Sequence, residues 1–461
     1  MNAARPRVRP AIRWLAMVMF AVLLPVAAHA LWDHVELRRL VREVQAIRDR
    51  GEPVTEEDAG LGYRGSTDEH RLASQYYLAA AVLAPGPVDA PALRQVREWV
   101  HGGLPLQQPL EASAAAYARL HEASRDALRF ADRAAALEFR GLTPGTEFSY
   151  RASSLAQMLR QLAARTIYLS LAGDQDQAVE SAFSAIRARR VLGHVRWFVV
   201  GDHEVPIILS LSTPSATALQ RLQAALDAEE AGHDPARGLI EERARAVEMI
   251  WRRYYGPDPN ATDWYSLPRR SIMETLFRPW FTHQTVAALR RWAEEIVRAR
   301  RPWTEKGREG EAATARLRQA RVPRYRFVRE FLLLEPFLSG SVLAALDPTT
   351  LVRDRCARVA VAIERFRRDH AGALPEALSA LTPAYIDELP EDPLSGAPLR
   401  FSRQADAYLV YSIGPNGRDD RGDVASELHT AQGRGWGRRV IRGTDIGVRV
   451  LVRRERVAPL Q

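Results

Sequence analysis

The chain is short of the residues that most often carry chemistry. Cys356 is its one cysteine in 461 residues, so no internal disulfide forms. Cys356 lies in a helical pattern beside Ala357, Val359 and Ala360, the setting of a buried structural thiol rather than a nucleophile. Lys306 is the only lysine; the other basic residues are arginine, the bias a GC-rich coding sequence leaves. The net charge is +9, but the arginines are scattered among glutamates along helical stretches. A phosphate-binding surface needs them on one face, so nucleic-acid binding is not expected. The patterns H-E-x-x-H, G-x-S-x-G, C-x-x-C and the P-loop are all absent. His203-Glu204 follows Asp202 in an apolar setting, yet Ile207 stands where a second zinc histidine would be needed. Asp369-His370 pairs a base with a carboxylate, but both fall at a helix end before Gly372, where a histidine complements the helix dipole. No reaction is legible, and the reading points away from an enzyme.

What is present begins with an export signal. Arg5, Arg7, Arg9 and Arg13 precede an apolar run from Trp14 to Ala28, the order that keeps the positive end in the cytoplasm. Ala28-His29-Ala30 has the small-x-small form of a cleavage site, so residues 1–32 read as a removable signal peptide or as a signal anchor. Ala11 to Trp32 is about 22 residues, enough to span ~30 Å of hydrocarbon. The helical pattern continues from Trp32 to Val44 without a break, which favours the anchor. Either way the expected location is the inner membrane, crossed once, with the bulk of the chain periplasmic.

Residues 33–340 read as an antiparallel α-helical body. Gly51-Glu52-Pro53 ends the first helix. Amphipathic helices follow at Arg71–Leu83, Ala90–His101, Leu110–Leu120, Ser124–Phe130, Tyr150–Leu171, Asp176–Leu192, Ala216–Glu230 and Arg237–Tyr255. Val195 to Leu211 is strongly apolar but too short and interrupted for a second span, and reads as buried core. Ser271–Phe277 and Thr282–Arg300 read as two helices, and Ala312–Arg321 and Tyr325–Leu334 close the body. Ala164 to Ala182 resembles one helical hairpin of the tetratricopeptide type, without a repeat series. Trp251, Tyr254, Tyr255, Trp264, Tyr265 and Trp280 concentrate aromatics in the 250–280 region. Core packing accounts for them; a ligand groove in an exported hydrolase or carbohydrate-binding protein is the alternative.

Residues 347–461 read as a small α+β module, a long helix followed by a β-hairpin and a loop, so the whole is mainly α. Leu389-Pro390 and Asp392-Pro393 stop a helix. Leu399 and Phe401, then Tyr408 to Tyr411, form the hairpin. Ser412-Ile413-Gly414-Pro415-Asn416-Gly417 leads into Asp419, Asp420 and Asp423. Carboxylates so close need solvent, a basic partner or a cation. Calcium accepts mixed carboxylate, hydroxyl and carbonyl oxygens, while a solvated turn with Arg418 and Arg421 nearby explains the same residues. The EF-hand spacing is absent.

The order of Asp369-His370, Gly372, Leu374-Pro375, Pro383, Tyr385-Ile386, Leu389-Pro390, Asp392-Pro393, Ser395-Gly396, Tyr411-Ser412, Gly414-Pro415-Asn416-Gly417 and Asp419-Asp420 resembles the globular part of the type II secretion major pseudopilin, the G subunit. It covers less than a fifth of the chain. The resemblance implies a calcium site at Ser412, Asp419, Asp420 and Asp423 with loop carbonyls, and partners among envelope or secretion proteins. The pseudopilin peptidase site, of the form G-F-T-L-x-E, is missing, and the whole body separates the apolar segment from the module. The chain also resembles a broad set of exported bacterial proteins with the G-E-P-x-T stop, the G-D-x-x-x-A helical pair and this tail, a resemblance that brings no activity. The expected role is a membrane-anchored, non-enzymatic interaction scaffold.

Overall fold

A computed structural model describes residues 10–55, 58, 68–85, 95–96, 99–100, 110–137, 146–192, 204–231, 234–254, 272–305, 349–414, 416–424 and 445–452. The helices read at 312–321 and 325–334 lie outside these residues. The chain is mainly α, with one three-stranded antiparallel sheet among the described residues. It divides into two compact units: Met1–Ala59 with Leu239–Val297 and Pro323–Leu338, and Gly60–Gly238 with Arg298–Val322 and Ser339–Gln461.

In the first unit, α1 (Pro10–Asp49) runs unbroken through Pro25. Its apolar half is exposed, from Trp14 to Val26, and is long and apolar enough to cross a membrane or to act as a signal sequence. Beyond it the helix becomes amphipathic, burying Asp33, Glu36, Leu40, Val44 and Ile47 along one stripe. Its end is a Schellman turn. Gly51, at φ +69°, donates to Arg48 O, and Glu52 donates to Ile47 O. α9 (Arg237–Tyr254) buries Leu239, Val247 and Trp251, and α10 (Ile272–Arg300) buries Phe281, Leu289, Trp292 and Ile296.

Sequence divides α10 at Pro279; the structure carries it through as one helix. Proline removes one amide donor and its ring crowds the carbonyl four residues back, a cost confined to one turn. Around it, Thr282 Oγ1 donates to Arg278 O (2.8 Å), while the Arg278 guanidinium is held bidentate on Asp33 of α1. These tertiary contacts outweigh the local break.

In the second unit, α5 (Thr146–Ala172) and α6 (Gln175–Leu192) form a hairpin turned at Gly173, φ +84°. α2 (Asp68–Leu83) and α4 (Arg125–Ala135) pack on it through Tyr77, Leu128, Met158 and Leu162. Arg165 of α5 grips Asp132 of α4 with two bonds of 2.6 and 2.7 Å. α3 (Leu110–Ala123) packs on α5 through Tyr117, Leu120, Ile167 and Leu171. α7 (Glu204–Leu211) buries all but its last residue, as its apolar run leads one to expect; residues 195–203 lie outside the described set.

α8 (Ala216–Ala231) and α11 (Thr349–Asp369) share one core with α6, α7 and the sheet: Val179, Ile208, Leu222, Cys356, Ile363, Tyr408, Val410 and Val448 belong to a single cluster. The tail therefore packs on helices of the body rather than around a core of its own. The sheet is β1 (Arg400–Arg403), β2 (Ala407–Ser412) and β3 (Ile446–Leu451), in that order. The hairpin lies where the sequence pattern predicts it; β3 is an additional strand. β2 lies in the middle and buries all six residues.

Candidate functional site

The loop after β2 is built on two buried aspartates, only one of them in a segment that sequence reading singled out. Asp392 accepts from Leu394 N (2.9 Å), Ser395 Oγ (2.7 Å) and Ser412 Oγ (2.6 Å). It ties the turn before β1 to the end of β2. Ser412, a candidate ligand, is itself fully buried, and its oxygen accepts from Gly414 N at 3.3 Å. Asp445, just before β3, is the second anchor. It is fully buried and accepts from Asp420 N (3.2 Å) and Gly422 N (2.6 Å).

The other candidate ligands sit over this anchor. Asp419 accepts from Arg400, Tyr411 Oη (3.2 Å) and its own loop's Arg421 N (2.9 Å). Asp420 accepts from Asn416 Nδ2 at 2.8 Å. Asp423 is exposed, its amide 3.4 Å from Asp420 O. Burial pushes the Asp445 carboxyl above the ordinary carboxylate range. The backbone donors of Gly422 and Asp420 oppose that rise, and the charges of Asp419 and Asp420 add to it. Burial and then Asp419 raise the Tyr411 phenol to about 12. The loop is thus an acidic cradle whose charge is met by Arg400, Asn416 and backbone amides. Among the described residues, no three His, Cys, Asp or Glu side chains are grouped closely enough to hold a metal.

Gly422 is the tightest point of the cradle. Its φ is +78°, and a Cβ there would lie 2.1 Å from Leu409 Cδ2. Gly422→Ala is expected to cost about 1–3 kcal/mol from the left-handed backbone alone, read by denaturant unfolding. An unchanged midpoint would mean the loop is not held as described.

Elsewhere, a cleft of about 930 Å³ in the second unit is lined by His121, Arg125, Arg129, Asp132, Arg165, Arg187 and Arg221, among others. Burial and then Arg165 lower the pKa of His121, which stacks on Tyr168 at 4.8 Å. The cleft leaves no local mark in the sequence, because its residues come from five helices. The Asp369-His370 pair does not form a base and its carboxylate: His370 Nδ1 donates to Phe366 O, while Asp369 accepts from Tyr385 Oη. Glu204 is buried at the start of α7, and His203 lies outside the described residues. Of the 250–280 aromatics, Trp251 is buried and Trp280 half-buried; Tyr255, Trp264 and Tyr265 lie outside the described residues. No known protein family, curated protein or solved structure matches the chain.

Proposed function

We propose that the protein is a membrane-anchored, non-enzymatic scaffold. In this reading α1 is retained in the inner membrane, the bulk is periplasmic, and the tail is a calcium-stabilised, pseudopilin-like module. The observation that carries the reading is the continuity of α1: a fully exposed apolar half passes without a break into a half buried in the first unit. A leader cut after Ala30 would leave that buried half without its N-terminal extension. Envelope or type II secretion proteins are the proposed partners, on the strength of the tail's resemblance. The burial of Trp251 removes one aromatic from the groove that a hydrolase or carbohydrate-binding role would use.

Support for calcium comes from Asp445, a further carboxylate at this loop, whose carboxyl is raised first by burial and then by the charges of Asp419 and Asp420. Asp419, Asp420 and Asp423, with Ser412 and loop carbonyls, would hold the ion, and Asp419 would exchange Arg400 for it. A cation would favour the ionised form of Asp445 that burial disfavours. The test is melting of the full chain in excess calcium against chelator. Calcium at 100 times its Kd stabilises by about 2.7 kcal/mol, a shift of only a few degrees in a unit this large. The shift should vanish in Asp419→Ala/Asp420→Ala. No shift in the parent chain would sink the calcium reading and leave a solvated acidic turn.

A further inference from the structure

The first unit holds an unusual register. His29 Nε2 donates to Leu276 O (2.9 Å), Arg278 grips Asp33, His283 Nδ1 lies 3.3 Å from Glu36, and Arg290 Nη2 lies 2.7 Å from Glu43. The separations in sequence are 247 for His29 with Leu276 and for Glu43 with Arg290, and 245 for Asp33 with Arg278. An offset that stays within two residues over this length means that α1 and α10 run side by side in the same direction, rising about 1.5 Å per residue together.

That register fixes the height of the start of α10. Leu276 and Phe277 stand level with His29 and Ala30, and Ile272 stands level with Pro25, all within the apolar run of α1. Leu276 and Phe277 are 50% and 43% exposed, beside Leu31 and Trp32, which are also exposed. Ile272, Met273, Leu276, Phe277 and Trp280 fall at helical spacing for one apolar stripe. Arg278, the first cation of α10, is neutralised by Asp33 and sits one turn above. Trp32 and Trp280 are of the type that marks a membrane interface.

We propose that the first two turns of α10 dip into the leaflet from which α1 emerges, giving the protein a second, shallow membrane contact carried by Leu276 and Phe277. The partner is the lipid bilayer itself. Ile272 is seven residues below Trp32 in this register, a depth of about 10 Å, which is that of an interfacial amphipathic segment. The contact would fix the tilt of the first unit on the membrane, which a single spanning helix alone does not.

The inference rests on the anchor reading of α1, and the test separates the two. The full chain, with Cys356→Ala, is placed in lipid vesicles with single labelled cysteines at Phe277→Cys, Val22→Cys or Val297→Cys. Val297 is 58% exposed at the far end of α10. Quenching of a fluorophore by brominated lipid is compared with quenching by aqueous iodide. Labels at 22 and 277 should lose most of their emission to the lipid quencher, and the label at 297 to iodide. Lipid quenching at 22 with iodide quenching at 277 overturns the inference while the anchor stands. Protection of 277 from both quenchers means protein covers it and also overturns the inference. Iodide quenching at 22, or recovery of a chain beginning at Leu31, removes the anchor and the inference together.

Discussion

Glu52→Ala should cost the first unit about 3 kcal/mol, the low end of what removing one partner from a buried ion pair costs. Arg243, on α9, is fully buried and donates to Glu52 Oε2 at 2.7 Å and to Pro53 O at 3.4 Å. Arg50 adds a second contact to Glu52 at 3.3 Å. Burial alone would raise the Glu52 carboxyl; the hydrogen bond and charge of Arg243, with Arg50, outweigh it and hold the group below its ordinary value of 4.5. A lowered folded value means that the pair stabilises above the unfolded pKa and loses that contribution as pH falls through the folded one. The gap between parent and variant should therefore be wide at neutral pH and close in acid. Denaturant unfolding at both pH values reads it. A gap of the same size in acid would assign the loss to packing instead of charge.

Asp392→Ala should cost a similar amount, about 3 kcal/mol, through the second unit. Hydrogen bonds to a charged acceptor contribute roughly 1.5–3 kcal/mol each, and buried donors left without one add a penalty. Asp392 is almost fully buried and accepts three, one of them from the fully buried Ser412 hydroxyl. Asp392→Asn keeps an oxygen acceptor and should lose less. Because Asp392 holds Ser412 in place, the alanine variant should also blunt any calcium response even where the fold survives at low temperature. Equal stability of the alanine and asparagine variants would mean that Asp392 is not the hub of this turn.

Much of the fold was written in periodicity. The apolar stripe beyond Trp32, the glycine stop at Gly51 and the hairpin at Gly173-Asp174 leave local marks, and the structure has each of them. The elements that escaped lack such marks. β3 follows the hairpin only after the whole stretch beyond Val424, and Gly447, its second residue, weakens a strand signal; it sits where a Cβ would meet Val410 O at 2.6 Å. Pro279 reads as a break because the holding contacts come from Asp33, far away in sequence. At the candidate site the acidic triplet was visible as neighbours in sequence. Asp445 was not, since its role comes from β3 returning beside β2. Asp392 reads as a helix stop, and only burial shows it as an acceptor of three donors. Ion pairs such as Glu52 with Arg243 span 191 residues and leave no periodic trace.

The separation of Asp33 from Arg278, 245 residues, also sets an order of events during synthesis. At 5–20 residues per second, roughly 10–50 s pass between the appearance of Asp33 and that of its partner. For that interval Asp33 and Glu43 wait for Arg278 and Arg290, while the segment that becomes α2 to α8 is made in between. A helix made early is thus among the last to find its partners, and the unit is completed only after a long excursion of the chain.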